Sequence, residues 1–104
     1  MRLITSAIER RFAQVGRQEA LGEQAVVIAK FFTPDGCFTW FCTEFEDGMF
    51  FGLVSGFEVE LGYFSLDELE SARGPLGLPI ERDLHWNECT IAEVRRALSE
   101  RCSR

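Results

Sequence analysis

Apolar residues recur at three- and four-residue intervals at the start of the chain, where Ile4, Ile8, Phe12 and Val15 fall on one side of a helix. Ser6 followed by Glu9 has the spacing of a capping box, and Gly16 or Gly22 supplies the stop. The period then changes to two. Residues 25–32 (AVVIAKFF) have the continuous β-branched and apolar make-up of a buried strand, and Thr33-Pro34-Asp35-Gly36 places Pro and Gly where a tight turn needs them. The next strand, 37–46, puts Phe38, Trp40 and Cys42 on one face and Phe41 and Phe45 on the other. With both faces partly apolar, it reads as an inner strand covered on both sides, or as one whose second face stays open for binding. Asp47-Gly48 and Ser55-Gly56 mark hairpins into strands 49–54 and 57–64. In the last of these, alternation assigns Phe57, Val59, Leu61 and Tyr63 to the core, and Glu58, Glu60 and Gly62 to solvent.

Ser65 and Glu68 repeat the capping pattern and open a short helix to about Ser71, closed by Gly74-Pro75. An apolar loop, Gly74-Pro75-Leu76-Gly77-Leu78-Pro79, leads to residues 80–84. A final helix starts at Thr90, is capped by Glu93, and turns Ile91, Val94 and Leu98 inward. The expected architecture is a single α+β domain over residues 1–104. It consists of a four-stranded antiparallel meander, with N-terminal and C-terminal helices on one face and a short middle helix near one end. A composition 46% hydrophobic, with ten Phe and two Trp, supplies one core at this length without disulfides.

Charge adds an asymmetry that the pattern does not show. Residues 33–72 hold nine carboxylates and no Lys or Arg, whereas 1–32 hold five basic and three acidic groups and 73–104 six and five. The net charge of −6 repels a phosphate backbone, so direct nucleic-acid binding is not expected. No run approaches the roughly 18 apolar residues of a membrane span, and the N-terminus lacks the apolar region of a signal peptide. The expected location is the cytoplasm, where the four cysteines stay reduced.

The segments 30–36 (KFFTPDG), Trp40, 43–46 (TEFE), 50–69 (FFGLVSGFEVELGYFSLDEL) and 73–84 (RGPLGLPIERDL) resemble the bacterial family known as domain of unknown function 2958. The resemblance covers most of the chain. It implies a passenger of plasmids, conjugative elements and phages, sometimes fused to DNA-modifying domains, and it carries over no activity, cofactor or catalytic residue. Cys37 and Cys42 stand where Ser and Ala are expected in relatives, so no shared cysteine chemistry follows.

The candidate chemistry is thin. Cys37 and Cys42, four residues apart on a strand, face opposite ways, and Cys89 and Cys102 flank the last helix, whereas structural zinc sites want ligands paired on tight turns. His85 is the only histidine and has no nucleophile motif beside it. Glu44 with Glu46, and Glu58 with Glu60, pair along their strands and support two readings. In the first they form, with Trp40, an acidic and partly aromatic recognition face for a protein partner, such as a basic nucleic-acid-handling protein. The chain is then a non-enzymatic accessory module, in the setting implied by the resemblance a counter-defence inhibitor. In the second they hold Mg²⁺ or Mn²⁺ for a hydrolase or nuclease, although Lys30 is the only lysine available to assist. The first is preferred, with no cofactor or metal site assigned. Glu81, Arg82 and Asp83, after the stiff apolar loop, are further candidates for partner contact or for pairing with each other. A homodimer covering the aromatic face is open.

Overall fold

The computed structural model describes residues 2–102, the side chains of Arg101 and Cys102 excepted. Helix α1, Ser6–Val15, begins one residue earlier in its capping than the sequence suggests. Its N-cap is Thr5, whose hydroxyl accepts from the Ile8 N–H at 3.2 Å, while Ser6 is already helical. Gly16 ends the helix with φ of 69°, and its N–H reaches back to the Phe12 carbonyl. A 3-10 turn over Glu19–Gln24 follows.

The expected single strand 25–32 is two strands. β1, Val26–Val27, pairs with β7, Cys89–Thr90, in a small separate sheet, and β2, Ala29–Phe32, enters the main sheet. Ile28 is the pivot, its N–H donating to the Cys42 carbonyl. The main sheet also contains β3 (Thr39–Glu46), β4 (Met49–Ser55), β5 (Val59–Ser65) and β6 (Glu81–Arg82), in the order β5-β4-β3-β2-β6, all antiparallel. It thus has five strands rather than four. The fifth is the segment behind the Pro-rich loop, which returns to pair Phe31 with Arg82 and Phe32 with Glu81. At the β3–β4 hairpin both Asp47 (φ 51°) and Gly48 (φ 76°) lie in the left-handed region, as the two-residue turn of a right-twisted hairpin requires.

The remaining helices are α2, Leu66–Ser71, and α3, Ile91–Cys102. The Ser65 hydroxyl accepts from the Glu68 N–H. At α3 the capping box is complete: the Thr90 hydroxyl accepts from the Glu93 N–H at 3.2 Å and the Glu93 carboxylate from the Thr90 N–H at 3.0 Å. The Thr90 N–H, and after it the Thr90 hydroxyl, donate to the Glu93 carboxylate and lower its pKa from the ordinary value.

The terminal helices do not share a face. On the first face of the sheet α1 buries Phe12 against Phe31, Phe50 and Phe64, with Phe45 and Trp40 at the margin. On the second, α3 buries Ile91 and Val94 against Val27, Phe41 and Leu53. Two core clusters on opposite sides of one sheet replace the single-sided core. Phe45 belongs to the first face, not with Phe41, because a bulge between Cys42 and Glu44 shifts the register of β3 by one residue. Thr43 occupies the bulge, buried, with its hydroxyl donating to the Phe51 carbonyl.

On β5 the expected core row is the one that fails, whereas Glu58 and Glu60 are exposed as expected. Phe64 is the buried residue of the strand, stacked on Phe50 at 5.5 Å between ring centroids, and the row opposite it, Phe57, Val59, Leu61 and Tyr63, is exposed. Phe64 shares its parity with Glu58 and Glu60, and its ring completes the phenylalanine cluster of the first face, where Phe12 of α1 packs.

Candidate functional site

The open part of the second face follows from where α3 is tethered. The helix leaves β7, which pairs with β1, and the Ile91 N–H donates to the Ala25 carbonyl; its inner residues therefore pack on Val27, Phe41 and Leu53, and Ile91 borders β5 only across a cavity of about 240 Å³ that Leu61 also lines. Across β4 and β5 the register aligns Tyr63 with Phe51 and Leu61 with Leu53, so the uncovered rows read Met49, Phe51, Tyr63, Leu61 and Val59. Tyr63 is 67% exposed and leans on Phe51 at 4.8 Å between centroids. Before the strand, Phe57 is 92% exposed and packs edge-on with Phe38, which in turn packs edge-on against Trp40 at the margin of the first face.

Acids rim this strip at one end. After the bulge Glu44 lies opposite Phe51 and Glu46 opposite Met49, so both carboxylates stand on the second face. They share a cleft of about 490 Å³ with Arg17, Met49, Phe51 and Tyr63. Glu44 accepts from the Gln18 N–H at 2.8 Å, and Glu46 lies 3.9 Å from the Arg17 guanidinium. Glu60 pairs in register with Val54 and falls on the first face, in one row with Trp40 and Arg82. Glu58 precedes β5, and both glutamates line a groove of about 500 Å³ along its edge with Phe57 and Leu61. The four glutamates therefore form two pairs on different faces.

The third group of sequence candidates lies at the opposite edge. Glu81 and Arg82 form β6, and the Arg82 guanidinium donates to the carbonyls of Arg2 and Leu3, which fastens the N-terminal segment. Asp83 accepts from the His85 N–H and stands 3.8 Å from Lys30. Lys30 in turn lies over the rings of Phe41 and Trp86, at 5.8 and 5.7 Å. The 73–79 loop is clasped by Asp35, whose carboxylate accepts from the Leu76 and Leu78 N–H groups. Each of these groups has an internal structural task.

Gln18, a buried residue for which the sequence offers no signal, closes the second face. Its amide donates to the Val26 and Thr43 carbonyls, both at 2.8 Å, and accepts from the Val26 N–H at 2.6 Å, so it splices the bulge to β1. The exposed apolar strip was also missed. Its one sequence signal is the parity of Phe64, which leaves a large ring on the polar side whichever way β5 is assigned.

Cysteine chemistry finds little support. Cys42 is buried, which pushes its thiol well up, and burial, then the Glu93 charge, raise Cys89; Cys37 is exposed in the turn before β3. The side chain of Cys102 lies outside the described residues. Among the described residues no three His, Cys, Asp or Glu side chains converge as a metal centre requires, and no helix is long and apolar enough to cross a membrane.

No curated protein and no solved structure matches the chain. The model of one family, described as Protein of unknown function (DUF2958), matches residues 3–98, which includes both core clusters, the bulge and the open strip. The chain belongs to the DUF2958 family of proteins of unknown function.

Proposed function

We propose that this chain is a non-enzymatic protein-binding module whose working surface is the open β4–β5 part of the second face. The observation that carries the reading is the uncovered row Val59, Leu61 and Tyr63, continuous with Met49 and Phe51 and rimmed by Glu44 and Glu46. An apolar centre with a charged rim is the anatomy of a protein interface, and the sign of the rim favours a basic partner such as a nucleic-acid-handling protein. A cytoplasmic accessory of a mobile genetic element, acting as a counter-defence inhibitor, fits that chemistry and the setting that the family resemblance implies. The metal-dependent hydrolase reading draws less support. Glu44 is held by a backbone N–H and Glu46 lies beside Arg17, and the two stand on the face opposite Glu60.

The test is a double variant, Leu61→Asp with Tyr63→Asp, used as bait beside the unaltered chain in extract of its own host. Both residues are exposed, so the thermal midpoint stays unchanged while capture of a stoichiometric partner is lost. Equal capture by both baits would sink the reading.

A further inference from the structure

We propose that the outer edge of β5 accepts an extended segment of the partner as a sixth strand, and that this segment alternates basic with apolar residues. The inference rests on the protein-binding reading and adds to it the mode of docking and the chemistry of the occupant.

Edges come first. In the order β5-β4-β3-β2-β6 the two outer strands differ: β6 spans two residues, whereas β5 spans seven, each in register with β4. Among the described residues no strand pairs with the outer side of β5. Its outward N–H and C=O groups are a template for one more antiparallel or parallel strand, which is how sheet edges capture extended peptides.

Side-chain chemistry then selects the occupant. Successive β5 residues face opposite ways, so an added strand would meet Val59, Leu61 and Tyr63 on the second face and Glu58 and Glu60 on the first. Apolar side chains at every second position of the guest extend the open strip. Lys or Arg at the positions between stand beside the glutamates, and the same glutamates repel acidic guests. A second copy of this chain would bring two molecules of charge −6 together along an edge that carries Glu58 and Glu60, so the occupant is a basic partner rather than a twin.

Gly62 supplies an independent indication. It lies opposite Gly52, and the two differ in why they carry no side chain. A Cβ on Gly52 would come within 2.0 Å of the Phe41 carbonyl oxygen, whereas one on Gly62 would meet nothing within 4 Å. Packing within the chain accounts for the first glycine only. At the second the backbone is bare in mid-strand on the face of Glu60, leaving room for a long cationic side chain to cross the edge.

Three fluorescein-labelled decapeptides probe the edge by anisotropy: Lys alternating with Val, Glu alternating with Val, and the Lys-Val peptide N-methylated at every second residue. The Lys-Val peptide is expected to bind and to slow hydrogen exchange of β5 amides, with at least tenfold weaker binding for each of the other two. Glu58→Lys with Glu60→Lys reverses the preference between the first two peptides. Absence of Lys-Val binding, equal binding of the N-methylated peptide, or protection outside β5 would overturn strand addition, as would a dimer of the chain alone with β5 already protected. If the Leu61→Asp, Tyr63→Asp bait loses its natural partner while the two Lys-Val peptides behave alike, the binding face stands and the sixth strand falls.

Discussion

The two faces of the main sheet are built from similar residues and end in different states. The first is sealed by α1 over a run of phenylalanines, with Phe12, Phe31 and Phe50 at most 2% exposed. The second is sealed only around Phe41 of β3 and Leu53 of β4, because α3 is anchored through β7 to β1 and capped by Thr90 at that side. A helix covers the strands its tether reaches, so the same apolar alternation is core above β3 and open surface above β5. Hydrophobic pattern states that a face will be buried by something. It does not say whether the covering element belongs to the same chain.

Substitution across this divide gives the largest expected effect. Phe50→Ala removes the ring that touches Phe12, Phe31, Phe45 and Phe64, and denaturant unfolding should register a loss of about 3–5 kcal/mol. Leu61→Ala on the open side should stay within about 0.5 kcal/mol of the parent. Comparable losses at the two positions would dissolve the distinction between the faces. Gln18→Ala tests the polar closure of the second face and comes next. It strands the Val26 N–H and the Val26 and Thr43 carbonyls, and a loss of ~2–3 kcal/mol is expected from chemical denaturation.

The smallest effect joins the two sides. Arg11 on α1 holds Glu88, just before β7, through two bonds of 2.8 Å, and this hydrogen bonding lowers the Glu88 carboxyl from its ordinary value of 4.5. A carboxyl lowered on folding stabilises the native state above its unfolded pKa, and that contribution is lost as pH falls through the folded value. The pair is partly exposed, with side chains 45% and 34% accessible, so solvent screening keeps the contribution small. Thermal midpoints of the parent and Glu88→Gln should therefore differ slightly at neutral pH and converge well below pH 4.5, with the parent the higher at neutral pH. A difference that persists in acid would assign the role of Glu88 to packing.

Much of the local structure was legible because its causes are local. The Asp47-Gly48 turn needs two left-handed residues, the Thr90–Glu93 box needs a hydroxyl and a carboxylate three apart, and Ile91 and Val94 sit where a helix turns them inward. The candidate site was legible only in parts. Glu44 and Glu46 do share a face, but Glu58 and Glu60 stand elsewhere, and the apolar strip beside them was read as core. Those errors have non-local causes. One inserted residue at Thr43 reverses the facing of half of β3, and nothing in the residues 39–46 themselves announces it.

By itself the sequence determined the α+β class, the hairpins, the capping of α2 and α3, and the concentration of acid in the middle of the chain. Each depends on residues within a few positions of one another, or on plain counting. The tertiary structure alone decided that β1 leaves the main sheet for β7, that residues 81–82 return as the fifth strand, that the terminal helices take opposite faces, and that β5 turns Phe64 inward and Tyr63 outward. These outcomes follow from which large side chains find partners across the sheet, and those partners lie tens of residues away.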